Sequence, residues 1–116
     1  VRRSVAMKAL PAVCSAGRCK EVVHTLTKLA QDRDQTIRLE VARLSLPAAC
    51  KAACCEDVIP SLLLLSKDPD ENVRKYVASN SWGPACEAKQ CEKEDVLANI
   101  ASLAKDKKSS VRRNTA

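Results

Sequence analysis

The chain has 116 residues, 20 Lys and Arg against 14 Asp and Glu for a net charge of +6, and seven cysteines. That length sets one domain with one sizeable core, and an apolar fraction of 46% excludes a disordered tail. Aromatic residues make up only 2% and glycines number two, which argues against a β-sandwich or barrel; an Ala-, Leu- and Val-rich, Gly-poor chain predicts helices.

The predicted elements recur in chain order. A helix opens on Val1-Arg2-Arg3-Ser4-Val5-Ala6 and carries Leu10, Pro11 and Cys14. The next has Val22, Leu26, Leu29 and Ala30 on one face, at i, i+4, i+7 and i+8. Asp32-Arg33-Asp34-Gln35 reads as a turn and N-cap, and a third helix follows with Ile37, Val41, Ala42, Ser45, Leu46 and Ala49 on its apolar face. The pair then repeats: Val58, Leu62 and Leu65; the turn Asp68-Pro69-Asp70-Glu71; Val73, Val77, Ala78 and Trp82. It repeats again as Val96, Ile100 and Leu103, introduced by Glu92-Lys93-Glu94-Asp95, then the turn Asp106-Lys107-Lys108-Ser109 and Val111-Arg112-Arg113. The four Val/Ile-Arg starts at 1, 37, 73 and 111 are 36, 36 and 38 residues apart. Pro11, Pro47 and Gly83 share one column and predict a kink or early break in each second helix.

The stretch from Asp57 to Ala78, with Pro60 in the first helix, Asp68 in the turn and Val73-Arg74 opening the second helix, resembles a HEAT repeat. The resemblance covers essentially the whole chain, although the Pro60 column holds His24 in one unit and Ala98 in another. It implies an all-α, right-handed solenoid of stacked antiparallel helix pairs, with partial units at 1–18 and 91–116 and full units at 19–54 and 55–90. It also implies a ladder between neighbouring units, with Asp32, Asp68 and Asp106 on one side and Arg38, Arg74 and Arg112 on the other. Neither end has a polar capping unit, so the chain reads as a segment continuous with further units of a longer array.

Six cysteines are periodic: Cys14, Cys50 and Cys86 form one column, and Cys19, Cys55 and Cys91 another, which leaves Cys54 outside. Cys-x4-Cys pairs spanning two helix ends have three readings. They are small apolar residues at a tight contact, disulfides within a pair, or metal ligands. The first is preferred. The chain shows no secretory leader pattern, and its longest apolar run, Val58–Leu65, is too short to cross a membrane, so the thiols are expected to be mostly reduced in a cytoplasmic or nuclear protein.

No catalytic constellation, phosphate loop or recurrent His-Glu pair occurs, so the reading is of a non-enzyme without a cofactor. Arg3, Lys75, Lys107, Lys108 and Arg113 fall at turns and helix starts, where a solenoid would align them along an edge for acidic partners. The scarcity of aromatics disfavours base stacking and therefore nucleic acid. The function expected is a protein-interaction scaffold. The alternatives are a thiol- or cofactor-linked component resembling the HEAT-like bilin lyases, and nucleic-acid or acidic-tail binding along the basic edge.

Overall fold

Two aspartates start the central helices. The side chain of Asp34 accepts a hydrogen bond from the Thr36 N–H (2.9 Å) and opens α4 (Gln35–Glu40). Asp70 does the same for α7 (Glu71–Tyr76) through the N–H groups of Asn72 (2.8 Å) and Val73 (3.2 Å). Each cap satisfies N–H groups that have no partner inside the helix. These facts come from a computed structural model that describes residues 2–52 and 54–115, with side chains at 3–5, 8–52 and 54–113. Val1 and Ala116, which begin and end the sequence period, lie outside the described residues.

The remaining helices are α1 (Arg2–Ser4), α2 (Leu10–Ser15), α3 (Val23–Leu29), α5 (Leu46–Lys51), α6 (Cys55–Leu65), α8 (Trp82–Glu87), α9 (Glu94–Ala104) and α10 (Ser109–Thr115). Short 3₁₀ turns at Cys19–Val22 and Gln90–Glu92 precede α3 and α9. The described residues are all-helical or turn, with no strand.

At the proline column the chain neither breaks nor frays. The helices continue through π-turns at Val5–Ala9, Val41–Ser45 and Val77–Ser81, giving unbroken helical runs over 2–15, 35–51 and 71–87. Of the kink or early break expected there, the break does not occur. A proline removes one N–H donor and crowds the carbonyl four residues back. One extra residue in the preceding turn lets the Leu46 N–H reach back to the Val41 carbonyl and moves the helix register past the obstruction. The π-turn keeps its place in the third run, although the proline there is Pro84, one residue later in the period.

Equivalent segments lie side by side. α1 packs on α4, α4 on α7 and α7 on α10; α2 packs on α5 and α5 on α8; α3 packs on α6; and the three π-turns touch in order. The core between them is aliphatic: Leu26, Val41, Leu46, Val58, Leu62, Leu65, Val73, Val77, Val96, Leu103 and Val111 are buried, with Trp82 in the Leu10/Leu46 column. The radius of gyration is 12.7 Å and the molecule measures 34 × 30 × 17 Å.

Candidate functional site

A continuous line of charge runs through the helix-pair turns. Arg38, on α4, donates from Nε to Asp68 Oδ2 (2.7 Å) and from Nη2 to Asp68 Oδ1 (3.3 Å). Arg74, on α7, repeats the fork on Asp106 at 2.7 and 3.2 Å. Each of these arginines also donates from Nη1 to the backbone carbonyl of its own turn, Arg38 to Asp32 and Arg74 to Asp68, both at 2.7 Å. Arg112 makes the same backbone contact with Asp106 at 2.6 Å. The turn carboxylates are held as well: Asp32, Asp68 and Asp106 each accept from the N–H two residues on, at 2.9 Å. The side chains of Asp68 and Arg74 are 5% and 9% exposed, so these forks work largely out of water and bidentate geometry counts.

Burial alone would raise the Asp106 carboxyl. The hydrogen bond from Arg74, the Lys108 N–H and the positive charges of Arg74 and Lys107 outweigh it and hold the group below its ordinary value. The Arg38 guanidinium is pushed further up by its bond to Asp68.

A second polar seam was not anticipated. In an α-helix the Ala42 carbonyl would accept from Leu46, whose N–H goes to Val41, and the Arg43 carbonyl would accept from Pro47, which has no N–H. Donors from the neighbouring helix replace them. Ser81 Oγ donates to the Ala42 carbonyl at 2.6 Å, and Asn80 Nδ2 donates to the Arg43 carbonyl at 3.3 Å. Ser45, one period before Ser81, is equally buried. Beside this seam the carboxylate of Glu40 is buried and held by Arg43 (2.9 and 3.1 Å), with Arg3 Nε at 3.9 Å. The signal for the seam was present as the Ser45/Ser81 column, but a hydroxyl on an apolar helix face reads as core filling unless the register of the π-turn is known.

An open groove of about 830 Å³ lies across the three long helical runs, lined by Pro11, Pro47 and Pro84 with Arg43, Lys51, Asn80 and Glu87 among the polar residues. It carries both charge signs.

The sequence reading preferred unbonded packing thiols, yet Cys50–Cys55 and Cys86–Cys91 are disulfides, with Cα separations of 3.8 and 4.7 Å. The cause is local. After α2 the chain reverses at Gly17 (φ +81°), with the Gly17 N–H bonded to the Cys14 carbonyl and the Arg18 N–H to the Val13 carbonyl. The same reversal follows α8, at Lys89 (φ +66°). It folds the end of one helix onto the start of the next and brings the fifth residue after a cysteine back beside it. Cys14, Cys19 and Cys54 are free and buried. Among the described residues, no group of three or more His, Cys, Asp and Glu side chains is arranged to hold a metal ion.

Arg3 is exposed near Glu40, and Lys75 is half-buried with Nζ 5.5 Å from the centroid of Tyr76. Lys107, Lys108 and Arg113 are exposed on and just after the α9–α10 turn. His24 is exposed. No described helix is long and apolar enough to cross a membrane. Searches of the chain against protein families, curated proteins and solved structures find no match.

Proposed function

We propose that this chain is part of a HEAT-type, right-handed α-solenoid that serves as a non-catalytic scaffold for other proteins, including partners with acidic segments. The observation that carries the reading is the Arg38–Asp68 and Arg74–Asp106 pairing, which joins each turn to the next across 30 and 32 residues at columns the sequence repeats. Segments packed in their order along the chain and an open groove across successive helices support it, since a surface of this kind suits an extended partner better than a small substrate. The exposed cations at Lys107, Lys108 and Arg113 supply the electrostatic attraction for acidic segments.

The test is fluorescence anisotropy with a labelled Glu/Asp-rich peptide, titrated at rising salt. Saturable binding that weakens with salt, and weakens several-fold in the Lys107→Glu, Lys108→Glu double variant, is expected. Absence of binding, or equal binding by the double variant, would overturn the acidic-partner reading. Stoichiometric pigment or metal in the purified protein would instead favour the cofactor-linked alternative.

A further inference from the structure

The three free thiols stand together, and their arrangement is unequal. Cys14 and Cys19 are fully buried and their sulfurs are in direct contact. They carry the same x4 spacing and follow the same backbone reversal as Cys86 and Cys91, which are bonded. Cys54 is buried at the next helix junction, where its thiol and that of Cys19 perturb one another. It has no cysteine one period away on either side: those places hold Arg18 and Gln90.

We propose that Cys14 and Cys19 are an oxidation site that closes to a third disulfide by exchange with a small-molecule disulfide, leaving Cys54 as the single thiol of the chain. One of the two thiols loses its proton and attacks a sulfur of the reagent, R–S–S–R, forming a mixed disulfide and expelling one thiolate. The second sulfur then displaces the remaining R–S group. Two protons and two electrons pass from the cysteine pair to the reagent, which leaves as two R–SH. Cys14 is preferred over Cys54 as the partner of Cys19 because the Gly17 reversal, which positions the pair, is built into the same short segment. Val13, Ala16, Arg18 and Val22, close to the two cysteines in sequence, line an open hollow of about 480 Å³. A closed Cys14–Cys19 bond would tie the end of α2 to the turn that starts α3, as the other two bonds tie α5 to α6 and α8 to the turn before α9.

Burial, reinforced by the neighbouring sulfurs, pushes Cys19 and Cys54 up to about 11, and burial also raises Cys14. Since only the thiolate attacks, exchange should be slow at neutral pH and accelerate about tenfold per pH unit from 7 to 9.

The experiment incubates the chain with oxidised glutathione at pH 7, 8 and 9, quenches with acid, alkylates in denaturant and counts free thiols by mass. Tryptic mapping then assigns the bonds, because cleavage after Arg18 separates Cys14 (residues 9–18) from Cys19 (residues 19–20) and places Cys54 in 52–67. The expected result is a fall from three free thiols to one, with 9–18 joined to 19–20. Cys54→Ala should give the same bond and no remaining thiol. A Cys19–Cys54 linkage, a persistent glutathione adduct, or three free thiols after prolonged incubation at pH 9 would each overturn the proposal. Cys54→Ala leaves the reacting pair intact, so the test does not depend on a variant of that buried pair folding.

Discussion

Removing the Ser81 hydroxyl leaves the Ala42 carbonyl buried without the donor that replaces its helical one, so Ser81→Ala should cost about 1–3 kcal/mol. Asn80→Ala should cost less, about 0.5 kcal/mol, because its bond is 3.3 Å long and only partly buried. Urea unfolding of the two variants measures both, and equal losses would mean that the carbonyls find other partners. The contrast marks what was legible at this scale. Asp34, Asp70 and the Arg–Asp columns stand out because a charge recurring at a fixed turn position has few uses other than capping and pairing. Ser45 and Ser81 recur just as regularly, but they sit within an apolar stripe of period 3.6, and only the hydrogen-bond register of the π-turn gives the hydroxyl a purpose. Glu40 was hidden for a related reason: a lone acid on a predicted helix face reads as solvent-exposed until packing buries it against Arg43.

At the scale of the elements, the prolines mark a real irregularity, but its nature lay beyond a periodicity argument. An interior proline in a regular α-helix costs about 3 kcal/mol, and replacing one with alanine should recover much of that. Here the π-turn has already redirected the ladder, and Asn80 serves the Arg43 carbonyl. Pro47→Ala should therefore change stability by less than about 1 kcal/mol, which the midpoint of a denaturation curve decides. Stabilisation near 3 kcal/mol would show that the π-turn stores the full cost of the proline. The disulfides follow from element geometry too. Each closes a loop of about six residues, for which chain entropy gives a contribution of about 2 kcal/mol. Cys86 is exposed whereas Cys50 and Cys55 are buried, so graded reduction should open Cys86–Cys91 first. Alkylation with peptide mapping at rising reductant reads the order, and simultaneous opening would mean that the fold does not shield the buried bond. The sequence favoured unbonded thiols because Cys-x4-Cys spacing alone does not specify a reversal: Gly17 marks one, but at the equivalent place near Cys86 the left-handed residue is Lys89.

Across the whole molecule the two forks are links of one line. Arg38 grips the Asp68 carboxylate, the Asp68 carbonyl accepts from Arg74, Arg74 grips Asp106, and the Asp106 carbonyl accepts from Arg112. Arg74 is therefore the member whose loss severs both directions. Arg74→Met leaves the Asp106 carboxylate with only 11% exposure and without its cation, so it should cost about 3–5 kcal/mol. Adding Asp106→Asn should recover part of that, giving a double-mutant coupling above about 0.5 kcal/mol. Arg38→Met and Arg74→Met should also fail to add, although they belong to different forks, because both act on Asp68. The pH dependence supplies an independent check. The Asp106 carboxyl is held below its ordinary value in the folded chain, so the stabilisation it brings is present above the unfolded value of about 4 and is lost as pH falls through the folded one. In Arg74→Met the chief force lowering that value is gone while burial still raises it, so protonation relieves the variant as it weakens the parent. Urea midpoints at pH 7, 5, 4 and 3 should therefore converge on acidification, and a gap that stays constant to pH 3 would show that Arg74 acts through packing of its side chain rather than through the carboxylate it grips.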